Sequence, residues 1–180
     1  MEAIEMIKGR RSIRKYKDEV VDRALMEEII EITRYAPSWT NSQTARWTLV
    51  DNTEVIAQFA TKGVKGFVYN MDTLKNAKGV AVLSFVKGKS GKLDKYEMEG
   101  ENTAKWEVFD AGIACQTFCL AAHAKGISTC IFGVIDEQES AQLVGLPKEE
   151  SVAALIVYGY AVDTPPAPRR KDVEAILRFI

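Results

Sequence analysis

DAGIACQTFCLAAHA, residues 110–124, is the stretch that decides the fold. It lies inside the longest helical pattern of the chain, Glu101–Lys125, and it is apolar on more than one side. A surface helix carries one apolar stripe; a helix that is apolar nearly all round is buried. Gly126 follows as a C-terminal cap. Working outward, two apolar strand patterns come next, Ile127–Ile135 and Val152–Ala161, and a third, Gly79–Val86, precedes the helix. Ala45–Asp51 also reads as a strand. Helices are expected at residues 2–8, from an Asp22 cap to about Ala36, at Thr53–Thr61 behind Asn52 or Thr53, and at Asp136–Val144. Helices and strands mix without a regular βαβα rhythm. The expectation is therefore α+β rather than a doubly wound sheet, with the long helix buried.

The chain has 180 residues, one domain by length, with 47% hydrophobic and 27% charged residues. That composition excludes a largely disordered chain. Three cysteines and one histidine assemble neither a disulfide framework nor a zinc site at familiar spacing. Cys115 and Cys119 read as small core residues, and His123 as a surface or capping residue. The charged N-terminus is no signal peptide, and no apolar run spans a bilayer, so a cytoplasmic protein without a membrane partner is expected. Residues 87–100 combine Lys, Gly, Ser, Asp and Glu with few apolar anchors, which predicts a mobile excursion. TPPAPRR at 164–170 opens an extended C-terminal segment, 164–180, that ends in apolar Leu177, Phe179 and Ile180.

Net charge is −1, yet six of the ten residues from Lys8 to Lys17 are basic, and Arg169, Arg170 and Lys171 form a second cluster. Two readings are open from the residues alone. The clusters are solvated faces, or they converge on an anion. Arginine's planar fork suits phosphate oxygens, and Ser12 adds a hydroxyl. No basic stripe with interleaved aromatics is present, so nucleic acid is not expected. PSWTNSQ, residues 37–43, packs small polar groups directly after a helix end. It is an ordinary turn, or a loop that reads the polar edge of a heterocycle.

RRSIRKY at 10–16, APSWTNSQ at 36–43, DAGIACQ at 110–116, AAHAKGIS at 121–128, IFG at 131–133 and PRRKDVEAIL at 168–177 occur in an order that resembles the FMN-dependent nitroreductase family across essentially the whole chain. The resemblance implies a nitroreductase-like α+β fold, a mostly antiparallel central sheet flanked by helices with a long buried central helix, in an intertwined homodimer, and bound FMN with NADH or NADPH as hydride donor. It implies that Arg10, Ser12 and Arg14, with Arg11 between them, hold the phosphate and ribityl chain. Arg169 and Arg170 match the C-terminal basic pair there, with Lys171 a competing assignment. Pro37, Ser38, Trp39, Asn41 and Gln43 would approach the flavin from the partner subunit. Trp39 departs from the smaller residues usual in the family and bears on substrate range. Asn70 matches an asparagine at the pyrimidine edge, and Ile131, Phe132 and Gly133 bring backbone groups near N5. Phe132 stands where some members have glutamate. No catalytic side chain is implied, because flavin carries the hard chemistry. The implied reaction is ping-pong reduction of nitroaromatics, quinones or activated alkenes. Alternatives are a flavin-binding sensor or storage module, a dehalogenating or flavin-fragmenting relative, and a flavin-free anion site.

Overall fold

A computed structural model describes residues 2–93, 98–99 and 103–180. Its centre is a four-stranded sheet of β1 (Ala45–Val50), β2 (Gly79–Val86), β5 (Ser128–Phe132) and β6 (Glu150–Gly159). The order is β1-β2-β6-β5, and every pairing is antiparallel. A short ribbon of β3 (Lys92–Leu93) and β4 (Met98–Glu99) stands apart from it. The sheet is covered on both faces, which is why β2 reads as an unbroken apolar run rather than an alternation. Val80 and Val82 point to one face; Ala81, Leu83 and Phe85 point to the other. β6 divides the same way, with Leu155 and Val157 opposite Ala154, Ile156 and Tyr158.

The first face carries α3 (Thr53–Gln58), the turn at Phe59–Gly63, α4 (Val68–Lys75) and α6 (Glu137–Leu143). Ile56, Phe59, Val64, Leu74 and Ile135 close that core. Asn52 caps α3 by accepting from the Glu54 and Val55 N–H groups, and Asp136 caps α6 through the Glu139 N–H at 3.0 Å. The sequence reading contains no counterpart of α4.

The second face carries α2 (Arg23–Thr33) and α5 (Thr103–Ala124). The Asp22 carboxylate accepts the Ala24 N–H at 2.9 Å and starts α2. The helix stops at Thr33, three residues before the expected end, as Tyr35 and Ala36 turn back onto Ile32 and Thr33 ahead of Pro37. α5 packs Ala111, Ala114, Cys115, Phe118, Cys119, Ala121 and Ala122 inward. Its opposite side differs from the all-round burial expected: Val108 and Phe109 are each 59% exposed, and Gly112 and Gln116 lie along the same strip. Small residues make a helix look apolar on every side even when one chain covers only one of them.

The strand edge at β5 organises the chain ends. Ser12 pairs with Thr129, and Ile13 donates its N–H to the Thr129 carbonyl at 3.0 Å. Lys17 then bonds the Tyr160 carbonyl, and Val162 bonds the Lys15 carbonyl. Residues 10–17 thus run beside the exit of β6, and the extended C-terminal segment leaves next to the first basic cluster. Tyr16 anchors the junction: its buried hydroxyl donates to the Ile13 carbonyl at 2.6 Å and lies 3.2 Å from the Val157 carbonyl. Burial pushes its pKa well above the ordinary phenol value. Gly159 is required there, since a Cβ would stand 2.9 Å from the Tyr16 ring.

Candidate functional site

Arg10, Arg11, Ser12, Arg14 and Arg170 line one pocket of about 270 Å³, closed by Pro165, Pro166 and Pro168. The two basic clusters therefore meet, through Arg170 rather than Arg169 or Lys171. No carboxylate among the described residues lines this pocket. Among the described residues, none of its four arginines joins an ion pair; the guanidiniums are steered by backbone carbonyls instead. Arg11 donates to the carbonyls of Lys8 at 2.6 Å and Arg10 at 2.9 Å, and Arg170 to that of Pro168 at 2.9 Å. Arg11 Nε is buried without a partner. Like charges gathered without counter-charge, with an N–H group left over, are the donor set of an anion site.

A narrower cleft on the other side of Arg10 and Arg11 is lined by Gly9, His123, Ser128, Thr129 and Thr164. His123 is half-buried there, not a free surface residue. Burial, then Arg10 and Arg11, hold its pKa below the ordinary imidazole value, opposite to what a helix C-terminus alone would do.

Along β5 the strand alternation separates neighbours. The Phe132 side chain is 2% exposed and belongs to the core, so only its backbone can face a ligand; Ile131 and Gly133 are exposed. Asn70, 8% exposed on α4, reaches the end of this strand: its Nδ2 donates to the Val134 carbonyl at 3.1 Å. Asn70 and residues 131–133 are thus drawn together across 64 positions of sequence.

Pro37, Ser38 and Gln43 lie elsewhere. They line a pocket of about 310 Å³ with Ile30, Trp47, Asp110 and Ala114, at α2, β1 and α5. The loop is a 3-10 turn, Trp39–Asn41, held in an unusual backbone state. Thr40, Asn41 and Gln43 all have positive φ, at 44°, 59° and 49°. None is glycine, so each conformation is disfavoured unless the surroundings enforce it. The Ser38 hydroxyl accepts the Gln43 N–H at 2.9 Å. The Trp39 ring lies 4.5 Å from Trp106, which in turn meets Phe109 at 5.3 Å. Within one chain this loop and the arginine pocket are lined by separate residues.

One residue at this loop escaped the sequence reading. Asp110, 2% exposed, accepts the Trp39 N–H on both oxygens, at 3.1 and 3.0 Å, the Ser42 hydroxyl at 3.4 Å and the Ser90 hydroxyl. The available signal was an acidic residue at the head of the apolar stretch 110–124. Its partners lie 71, 68 and 20 positions away.

Among the described residues there is no cluster of acids, cysteines and histidines that could hold a metal. No helix there is long and apolar enough to cross a membrane.

Comparison with known proteins bears on the family and the fold. A Bacillus subtilis protein described as FMN reductase (NAD(P)H) is 28% identical over 184 residues, covering 97% of this chain and 72% of its own. The structure of an FMN-dependent nitroreductase from Clostridium difficile R20291 matches with a TM-score of 0.74 and 26% identity, covering 98% of each chain. A nitroreductase from Exiguobacterium sibiricum, solved in complex with FMN, shares the fold at a TM-score of 0.87 and 22% identity, covering 100% of this chain and 98% of its own. The model of the nitroreductase family matches residues 7–160, all four strands of the central sheet and both helical layers, and the chain belongs to that family.

Proposed function

We propose that the chain is an FMN-dependent oxidoreductase that takes hydride from NADH or NADPH and reduces nitroaromatics, quinones or activated alkenes in ping-pong order. The observation that carries this reading is the pocket of Arg10, Arg11, Ser12, Arg14 and Arg170 without a carboxylate. Its size and charge suit one phosphate group. The orphaned Arg11 Nε and the Ser12 hydroxyl supply further donors. A charge-assisted hydrogen bond is worth about 1.5–3 kcal/mol, so a few together hold a cofactor through many turnovers. Arg169, adjacent in sequence to Arg170, would add positive potential without lining the pocket.

Bound FMN supplies the centre that accepts and returns hydride. This chain's residues bind and orient it. Asn70 and the backbone of Ile131, Phe132 and Gly133 would meet the ring, with the Phe132 side chain holding the strand in the core. Pro37, Ser38, Trp39, Asn41 and Gln43 would reach it from a second copy of the chain, because the loop and the arginine pocket lie apart in one copy. Two further features support a homodimer. The outer strip of α5 exposes Val108 and Phe109, and the 164–180 extension exposes Ile176, Leu177, Phe179 and Ile180. Apolar side chains in such runs are covered by another surface. No aspartate, glutamate or histidine belongs to the proposed set, so protons come from solvent. The relative described as FMN reductase (NAD(P)H) supports the cofactor and the donor.

The purified protein, reconstituted with FMN, should show flavin absorbance that bleaches anaerobically on addition of NADH or NADPH and returns with a quinone or nitroaromatic. A colourless protein that takes up no FMN sinks the proposal. Colour without bleaching by either nucleotide would instead identify a flavin-binding sensor.

A further inference from the structure

We propose that Asp110 is a positioning residue for the flavin-facing loop: its carboxylate, rather than the loop's own sequence, fixes residues 38–42 in the conformation that meets the ring. The inference rests on the cofactor reading above. The turn Trp39–Asn41 has a left-handed Thr40 and Asn41, and Gln43 follows in the same region. Such a run of non-glycine residues persists only where outside bonds enforce it. Within the loop, the Asn41 and Ser42 N–H groups bond the Ser38 and Trp39 carbonyls, and the Ser38 hydroxyl takes the Gln43 N–H; none of these ties the loop to the rest of the fold. The near end is held from α5, where both Asp110 oxygens take the Trp39 N–H and one also takes the Ser42 hydroxyl. The same oxygen receives the hydroxyl of Ser90, which is fully buried. Three donors from two distant segments thus converge on one buried carboxylate. Each bond to an ionised acceptor is stronger than its neutral counterpart. The Trp39 ring, resting on Trp106 one turn earlier, follows the position of its own amide.

The helix also contains its own control. Glu107 lies three residues before Asp110, is 8% exposed, and accepts the Gly88 N–H. Both carboxylates therefore tie the 87–91 segment to α5. Only Asp110 touches 38–42. A purely structural role would make the two residues equivalent.

The experiment compares Asp110→Ala, Asp110→Asn and Glu107→Ala in the full chain. The readouts are FMN Kd by flavin fluorescence, visible circular dichroism of the bound flavin, and amide exchange at Trp39. Asp110→Ala should raise Kd tenfold or more, alter the flavin dichroism and release the Trp39 amide. Asp110→Asn, which keeps one carbonyl acceptor, should recover part of each. Glu107→Ala should lower the melting temperature while leaving Kd, dichroism and Trp39 exchange as in wild type. Wild-type Kd and dichroism in Asp110→Ala, or equal losses in Glu107→Ala, would overturn the proposal. If Asp110→Ala does not fold, Asp110→Asn decides: a threefold or larger rise in Kd supports the proposal, and wild-type binding overturns it. If the wild-type chain takes up no FMN, both readings fall. Exchange then tells the failures apart: a Trp39 amide protected in wild type and freed in the variants means that the anchoring is real and the cofactor assignment was at fault.

Discussion

Two groups of charge in this molecule are built in opposite ways. Around Asp110 a single carboxylate is buried and its donors are all supplied by the chain. Around residues 10–14 and 170, four guanidiniums gather with no carboxylate lining the pocket, and one N–H stays unpaired. A satisfied buried charge is a structural tie, since removing either side leaves the other desolvated and alone. An unsatisfied gathering of like charge stores repulsion, which a ligand of opposite sign relieves. The same physics, applied to the completeness of each network, separates what the chain does for itself from what it does for something else.

The comparison breaks first on the arginines. Arg10→Ala combined with Arg14→Ala should raise the FMN Kd by about 100-fold or more, from two charge-assisted bonds lost. The melting temperature of the apoprotein should hold or rise, because repulsion falls; equal loss of stability and binding, by titration and calorimetry, would make the cluster structural. Ser90→Ala should act the other way. Losing a buried hydroxyl that donates to a carboxylate should cost about 1–3 kcal/mol, a fall of several degrees for a chain of this size. Unchanged melting would deny Asp110 its role as a tie. Third, inorganic phosphate at constant ionic strength should raise the apoprotein melting temperature by a few degrees relative to chloride, and this gain should vanish in the double arginine variant.

The smallest effect supplies a baseline for an exposed pair. Arg23 and Asp51 share two hydrogen bonds at the surface, at 2.5 and 2.9 Å. The Arg23 hydrogen bond holds the Asp51 carboxyl below its ordinary pKa. Its contribution is therefore present above about pH 4 and is lost as pH falls through the lowered folded value. Arg23→Ala should lower stability only slightly at neutral pH and less still in acid, by denaturant titration at the two pH values.

Much of this architecture was legible in the sequence because its signals are local. Asp22, Asn52 and Asp136 announce their helices, and the apolar runs at 79–86 and 152–161 match β2 and the body of β6. α4 was hidden because its pattern is inverted: Val68 and Tyr69 are exposed while Asn70 and Thr73 are buried. A helix stripe cannot be seen when polar residues take the inward positions. The 87–91 segment reads as solvated because Gly88 and Ser90 are turn residues, yet both are tied to α5. The arginines were conspicuous by density, but their convergence depends on two bridges, Ser12 to Thr129 on β5 and Tyr16 to Ala161 past β6, that no local pattern encodes. Asp110 was invisible for the same reason, since a carboxylate's meaning lies in its donors.

The seam at β5 has a further consequence. Because residues 10–17 pair with both β5 and the exit of β6, the first and last parts of the chain must both be present before the arginine pocket exists. During synthesis residues 10–14 emerge long before Arg170, so the pocket can be completed only after Arg170 has left the ribosome. Until then its positive charge is open to any polyanion in the cell. Capture of an anion at this pocket must therefore follow closure of the seam, because the two basic segments face each other only then.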